Sequence, residues 1–90
     1  MKQRMTVRYE GRVQGVGFRY TVVNLAKPLR LTGYVRNEFD GSVVLIAEGS
    51  ESKLTELLQN INRSHLARHI TACQIGRSAA TGEFKSFSVQ

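Results

Sequence analysis

Nine consecutive residues, Gly11-Arg12-Val13-Gln14-Gly15-Val16-Gly17-Phe18-Arg19, bring together the groups best suited to hold an anion. Glycine lets successive backbone N–H groups turn toward one point, which makes a concave anion nest. From Phe18 the apolar residues Val22, Leu25, Ala26 and Leu29 fall on one helical face, so the glycine-rich loop runs directly into a helix. The first N–H groups of a helix have no intrahelical acceptor, and its dipole presents its positive end there. Arg19, in the first helical turn, can aim a planar fork of donors at the same point. Together these parts describe a phosphate cradle. The loop is neither a Walker A nor a dinucleotide motif, and its shape alone fits a flexible turn with an exposed arginine equally well.

A second stretch, Gly33-Tyr34-Val35-Arg36-Asn37-Glu38-Phe39-Asp40-Gly41-Ser42-Val43, carries the Asp-Gly pair that marks a β-hairpin. Asn37 falls at the end of the first hairpin strand. Asparagine is common beside turns for backbone reasons, so taken alone it reads as structural. Arg36 reads as a solvated charge on the outward face. His65 and His69 are four residues apart, but no carboxylate or thiol pattern joins them into a metal site. Cys73 falls in a strand-like run and reads as a core residue rather than a nucleophile. No Ser/His/Asp combination emerges from the spacing.

The elements that must position these residues follow from periodicity. Residues 4–10 alternate, with Met5, Val7 and Tyr9 on one side, and predict a half-buried strand. The first helix should kink or stop near Ala26, because Pro28 removes a donor and disfavours helical geometry at Lys27. Residues 31–37 and Ser42–Glu48 read as the two strands of the hairpin. Leu54, Leu57, Leu58 and Ile61 define a second helix, capped by Ser50 or Ser52. Ile70–Ile75 reads as a strand, Gly76–Gly82 as a loop and Phe84–Val89 as a final strand. The order predicts one α+β domain over residues 1–90, a ferredoxin-like α/β sandwich (βαββαβ plus a short C-terminal strand). In it an antiparallel sheet carries two helices on one face.

Ninety residues suffice for one domain and not for two. A formal net charge of +6 favours anionic partners, whether phosphate compounds, nucleic acid or anionic membranes. The basic residues are scattered rather than blocked. One cysteine permits no intrachain disulfide and fits a reducing compartment. The N-terminus lacks the apolar run of a signal peptide, and no window approaches the ~20 apolar residues of a membrane span. A cytoplasmic location is expected, with no membrane partner.

The two stretches together resemble the acylphosphatase family. Its pattern is a Gly-[Arg/Lys]-Val-Gln-Gly-Val-x-Phe-Arg loop followed by a Gly-[Trp/Tyr]-Val-x-Asn-x-x-Asp-Gly-x-Val hairpin. Gly11 to Arg19 and Gly33 to Val43 match both, and Glu48-Gly49 and Phe84-Lys85-Ser86-Phe87 are also similar to the family. Pro28 departs from the pattern, as does Arg30, which stands where a helix-ending glycine is usual; residues 64–82 do not align closely.

The resemblance implies a catalytic role for Arg19 and a water-orienting role for Asn37. It places a phosphate-binding loop on the backbone of Gln14, Gly15, Val16, Gly17 and Phe18. It further implies a monomer that needs neither metal nor cofactor. The expected reaction is hydrolysis of a small acyl phosphate to a carboxylate and inorganic phosphate, with phosphate also a competitive inhibitor. The alternative is a ferredoxin-like nucleic-acid-binding module. Such domains stack bases on aromatic residues of a central strand, and Val43-Val44-Leu45-Ile46 offers none, so no nucleic acid is expected. An acylphosphatase-like domain within a carbamoyl-phosphate-using enzyme is a further reading, and the short chain favours a free-standing enzyme.

Overall fold

The alternation of Met5, Val7 and Tyr9 turns three side chains to one face of β1 (Lys2–Gly11), and all three are buried. The computed structural model describes all of residues 1–90. After β1 come α1 (Phe18–Ala26), a 3-10 turn at Lys27–Leu29, β2 (Thr32–Asn37) and β3 (Val43–Ser50). They are followed by α2 (Glu51–Arg63), a 3-10 turn at His65–His69, β4 (Ile70–Ala79) and β5 (Phe87–Val89). The strands lie in the order β4-β1-β3-β2-β5.

Both helices lie on one face of the sheet, α1 toward β2 and β5, α2 toward β3 and β1. Phe18, Val22, Val23 and Ala26 of α1 and Leu54, Leu57 and Ile61 of α2 meet the inward residues of the strands in one core of 19 buried side chains. Pro28 ends α1 as expected: the helix stops at Ala26 and the chain tightens into the 3-10 turn. Arg30 then takes a left-handed conformation (φ 58°) to bring the chain back toward β2. Ser50 caps α2, its hydroxyl accepting from the Lys53 N–H at 3.4 Å.

Four differences from the sequence reading have physical causes. The sheet is mixed rather than wholly antiparallel, because β5 pairs parallel to β2, through Gly33–Phe87 and Val35–Val89. The connection that delivers β5 crosses the helix-free face, where Glu48 accepts from the N–H groups of Thr81 (2.9 Å) and Gly82 (3.0 Å). Second, β4 runs on to Ala79 because Gln3–Thr6 of β1 supply pairing partners for Gly76–Ala79. Third, β5 begins only at Phe87, since Phe84 leaves the strand line to pack edge-on against Tyr34, ring centroids 5.8 Å apart. Fourth, Cys73 is exposed rather than in the core. It pairs with the buried Tyr9, but β4 is the edge strand beyond the cover of the helices. No helix is long and apolar enough to cross a membrane.

Candidate active site

The cradle is built on two left-handed glycines. Gly15 and Gly17 each have φ 77°, and a Cβ at either would meet nothing within 4 Å. Backbone conformation, not crowding, is what requires glycine there. Gly17 is also the N-cap of α1, and having no side chain it leaves the helix start uncapped. The first bond of the helix runs from the Thr21 N–H to the Gly17 carbonyl (3.1 Å), so the N–H groups of Phe18, Arg19 and Tyr20 have no helical acceptor. No acidic residue stands in that first turn, whereas α2 has both a serine cap and Glu51. The start of α1 thus leaves these donors and its positive dipole end without a partner in the helix, an arrangement suited to an anion.

The core holds this loop in place. Val13 and Phe18 are buried on either side of it, and Val16 packs against the core. The Phe18 ring meets Tyr9 of β1 with centroids 5.1 Å apart. Tyr9 is sealed under this contact, and burial pushes its phenol well above the ordinary range.

Gly15, Gly17, Phe18, Arg19 and Asn37 line one cleft of about 150 Å³. Two segments separate in sequence therefore meet there, the loop after β1 and the end of β2. The Arg19 Nη1 donates to the Gln90 carbonyl at 3.3 Å, and no carboxylate pairs with this guanidinium. Asn37 pairs in register with Val43 at the mouth of the hairpin. Its Oδ1 is buried and has no hydrogen-bond partner in the protein. A buried acceptor left unpaired costs about 1–3 kcal/mol, so an orphan of this kind points to a ligand or water at that atom.

Gln14 and Val16 do not line this cleft. The Gln14 side chain turns to the hairpin instead, its Nε2 donating to the carbonyls of Glu38 (2.7 Å) and Ser42 (2.9 Å). There it borders a wider, neighbouring cleft of about 650 Å³ with Arg36, Asn37, Glu38 and Phe39. The hairpin tip is itself tightly bonded. Asp40 Oδ1 accepts from the Ser42 hydroxyl (2.6 Å) and the Ser42 N–H (3.0 Å), and Arg8 forms an ion pair with Asp40. The Ser42 hydroxyl above all, then its N–H and Arg8, hold the Asp40 carboxyl below its usual range.

The acylphosphatase family model matches residues 5–89. The chain belongs to the acylphosphatase family. An acylphosphatase from Arthrobacter sp. (strain FB24) is 43% identical over 86 residues, covering 96% of this chain and 79% of that protein. The crystal structure of acylphosphatase from Bacillus subtilis superposes with a TM-score of 0.87 at 33% identity, over 100% of this chain and 99% of that one. A structure of full-length HypF in a phosphate- and nucleotide-bound form also matches, with a TM-score of 0.87 at 26% identity; this chain spans 12% of it.

In this acylphosphatase-family chain the helix-free face of the sheet is poorly suited to nucleic acid. Its arginines are engaged: Arg4 with Glu48 and Glu83, Arg8 with Asp40, Arg36 with Glu38. The aromatic Tyr34 does stand on that face, but Phe84 packs against it and Arg4 lies over Phe84 at 5.1 Å. A base would have to displace the 80–86 connection to stack there. His65 and His69 sit in the 3-10 turn after α2, and no three His, Cys, Asp or Glu residues come together as a metal-ligand group.

Proposed function

We propose that this chain hydrolyses small acyl phosphates to a carboxylate and inorganic phosphate in the cleft between the loop and Asn37. The observation that carries this is the convergence there of unengaged donors with one orphaned acceptor. Main-chain N–H groups from Gln14 to Phe18 and the Arg19 guanidinium hold the three equatorial phosphoryl oxygens. Asn37 Oδ1 accepts from one O–H of a water and turns its lone pair toward phosphorus. The water oxygen forms the new P–O bond as the bond to the acyl oxygen breaks and the electron pair leaves with the carboxylate. An asparagine amide is too weak a base to take the proton, so the substrate phosphate or bulk water accepts it.

Such a site needs little more, because a carboxylate is a good leaving group. Phosphoryl transfer through a loose transition state depends chiefly on positioning and charge stabilisation. Fixed donors aimed at the developing charge provide it without reorganising. The cradle itself supplies the positive potential, so the reaction is read as metal-independent. Inorganic phosphate should occupy the same donors and inhibit competitively. We read the enzyme as a cytoplasmic monomer of one domain over residues 1–90, with the unpaired thiol of Cys73 suited to a reducing compartment.

The test is hydrolysis of benzoyl phosphate beside p-nitrophenyl phosphate and RNA binding at moderate salt. Benzoyl phosphate should be cleaved strongly preferentially, with activity kept in EDTA and phosphate competing. Loss of activity on chelation, restored by one divalent ion, would refute the metal-free mechanism. Equal cleavage of the acyl phosphate and the aryl ester would refute the acyl preference.

A further inference from the structure

We propose that Gln14 is a positioning residue for this hydrolysis: its side-chain amide straps the phosphate cradle to the hairpin that carries Asn37. The inference rests on the reading of Asn37 as the group that holds the water.

The geometry divides the site between two pieces of chain. The cradle hangs from the end of β1, and Asn37 ends β2, while β3 lies between these strands in the sheet. Their relative position at the cleft must therefore be fixed by something beyond the sheet itself. The two bonds from Gln14 Nε2, to Glu38 O and Ser42 O, are the only hydrogen bonds between residues 12–17 and residues 37–42.

They are well placed for the task. Glu38 directly follows Asn37, and its carbonyl and that of Ser42 face each other across the hairpin neck, where the Glu38 N–H donates to Ser42 O at 2.9 Å. Gly41 N–H reaches the same Glu38 carbonyl at 3.2 Å. One amide nitrogen with two hydrogens thus ties both sides of the neck to the loop. At the loop end Gln14 is held between the buried Val13 and the left-handed Gly15.

Glutamine fits this position chemically. A glutamate is nearly the same shape, but ionised it offers no donor and sets a negative charge against two carbonyl oxygens. An asparagine keeps the donors on a stem one methylene shorter. The main-chain donors of the loop do not depend on which side chain stands at position 14. Changes at Gln14 should therefore loosen Asn37 relative to the phosphoryl group and leave phosphate binding alone.

The experiment is a double-mutant cycle with Gln14→Ala and Asn37→Ala, reading kcat for benzoyl phosphate and the inhibition constant of inorganic phosphate. Gln14→Ala should lower kcat by roughly 10- to 100-fold, the scale of a small misplacement of a reacting group. The phosphate inhibition constant should stay within about 2-fold, which also shows that the cradle is folded. On the Asn37→Ala background, Gln14→Ala should cost less than about 2-fold, because no positioned water remains to be lost. Gln14→Glu and Gln14→Asn should behave as Gln14→Ala does and give the same answer if that variant is poorly folded. A folded Gln14→Ala protein with near wild-type kcat would overturn the strap, as would an equal loss on both backgrounds. If Asn37→Ala itself keeps wild-type kcat, the water-holding reading and the strap fall together. If Asn37→Ala is impaired and Gln14→Ala is not, only the strap falls.

Discussion

Arg19 and Asn37 share one cleft but should fail differently when changed. Arg19 is read as touching the phosphoryl group both before and during bond cleavage. Arg19→Ala should raise KM, lower kcat and weaken inhibition by phosphate. Arg19→Lys should rescue poorly, since a point charge cannot reproduce a planar fork that already has one arm on the Gln90 carbonyl. Asn37→Ala should drop kcat by ~10²-fold or more, the scale of losing one preorganised polar group, with phosphate affinity nearly intact. Steady-state kinetics on both, with unfolding curves as control, separate the two roles. Neither residue stands out by itself in the sequence, where the loop reads equally as a turn and Asn37 as structural; only the two motifs together, through the family resemblance, point to both. Nothing there points to the side chain of Gln14. Its loop reads as backbone chemistry, and its partners are main-chain carbonyls 24 and 28 residues away, which leave no trace in residue type.

Among the elements, α1 is set between two left-handed positions, Gly17 before it and Arg30 after its 3-10 extension. They lead to opposite expectations. A Cβ in left-handed geometry costs about 1–2 kcal/mol, so Gly17→Ala should destabilise the fold by about that much and weaken phosphate binding. Arg30→Gly relieves the same strain and should stabilise the fold by about 0.5–1 kcal/mol in urea unfolding, because relief exceeds the added chain entropy. The sequence marks the first position by a glycine; the second stands out only against the family pattern, which usually has a glycine where Arg30 stands. The sequence showed the strands less evenly. β1 and α2 were legible because one buried side imposes a period. β4 lies outside the helices, its residues are exposed on both faces, and Gly76-Arg77-Ser78-Ala79 carries no hydrophobic pattern. Only pairing with β1 makes that stretch a strand, and pairing is a property of the assembled sheet.

For the molecule as a whole, Glu48 is the ionisable group most tightly bound into the fold. It is buried on β3 and joins β1, through Arg4 Nε at 2.8 Å, to the connection before β5. Burial alone would raise its pKa, but the hydrogen bonds from Thr81, Arg4 and Gly82 outweigh it and bring the carboxyl from 4.5 down to about 2. A depressed carboxyl stabilises the fold above its unfolded pKa and loses that contribution as the folded pKa is approached. Urea midpoints should therefore hold above about pH 5 and fall between 4.5 and 2. Glu48→Gln should lower the midpoint at pH 7 and flatten that acid limb; an unchanged limb would assign acid unfolding to other carboxyls.

The strand order has one more consequence, which concerns time rather than geometry. β1 is made first on the ribosome, yet it lies between β3 and β4, and Gln3 waits for Ala79. Every residue of the cleft lining has been synthesised by Asn37, long before the sheet that fixes it can close. The entropy of closing such long loops is lost before the contacts return it, so refolding belongs on the order of milliseconds to seconds rather than microseconds. A nascent chain thus carries every residue of the proposed site while β1 still lacks its outer partner. Recovery of hydrolysis should keep step with burial of β1 and not with formation of the two helices.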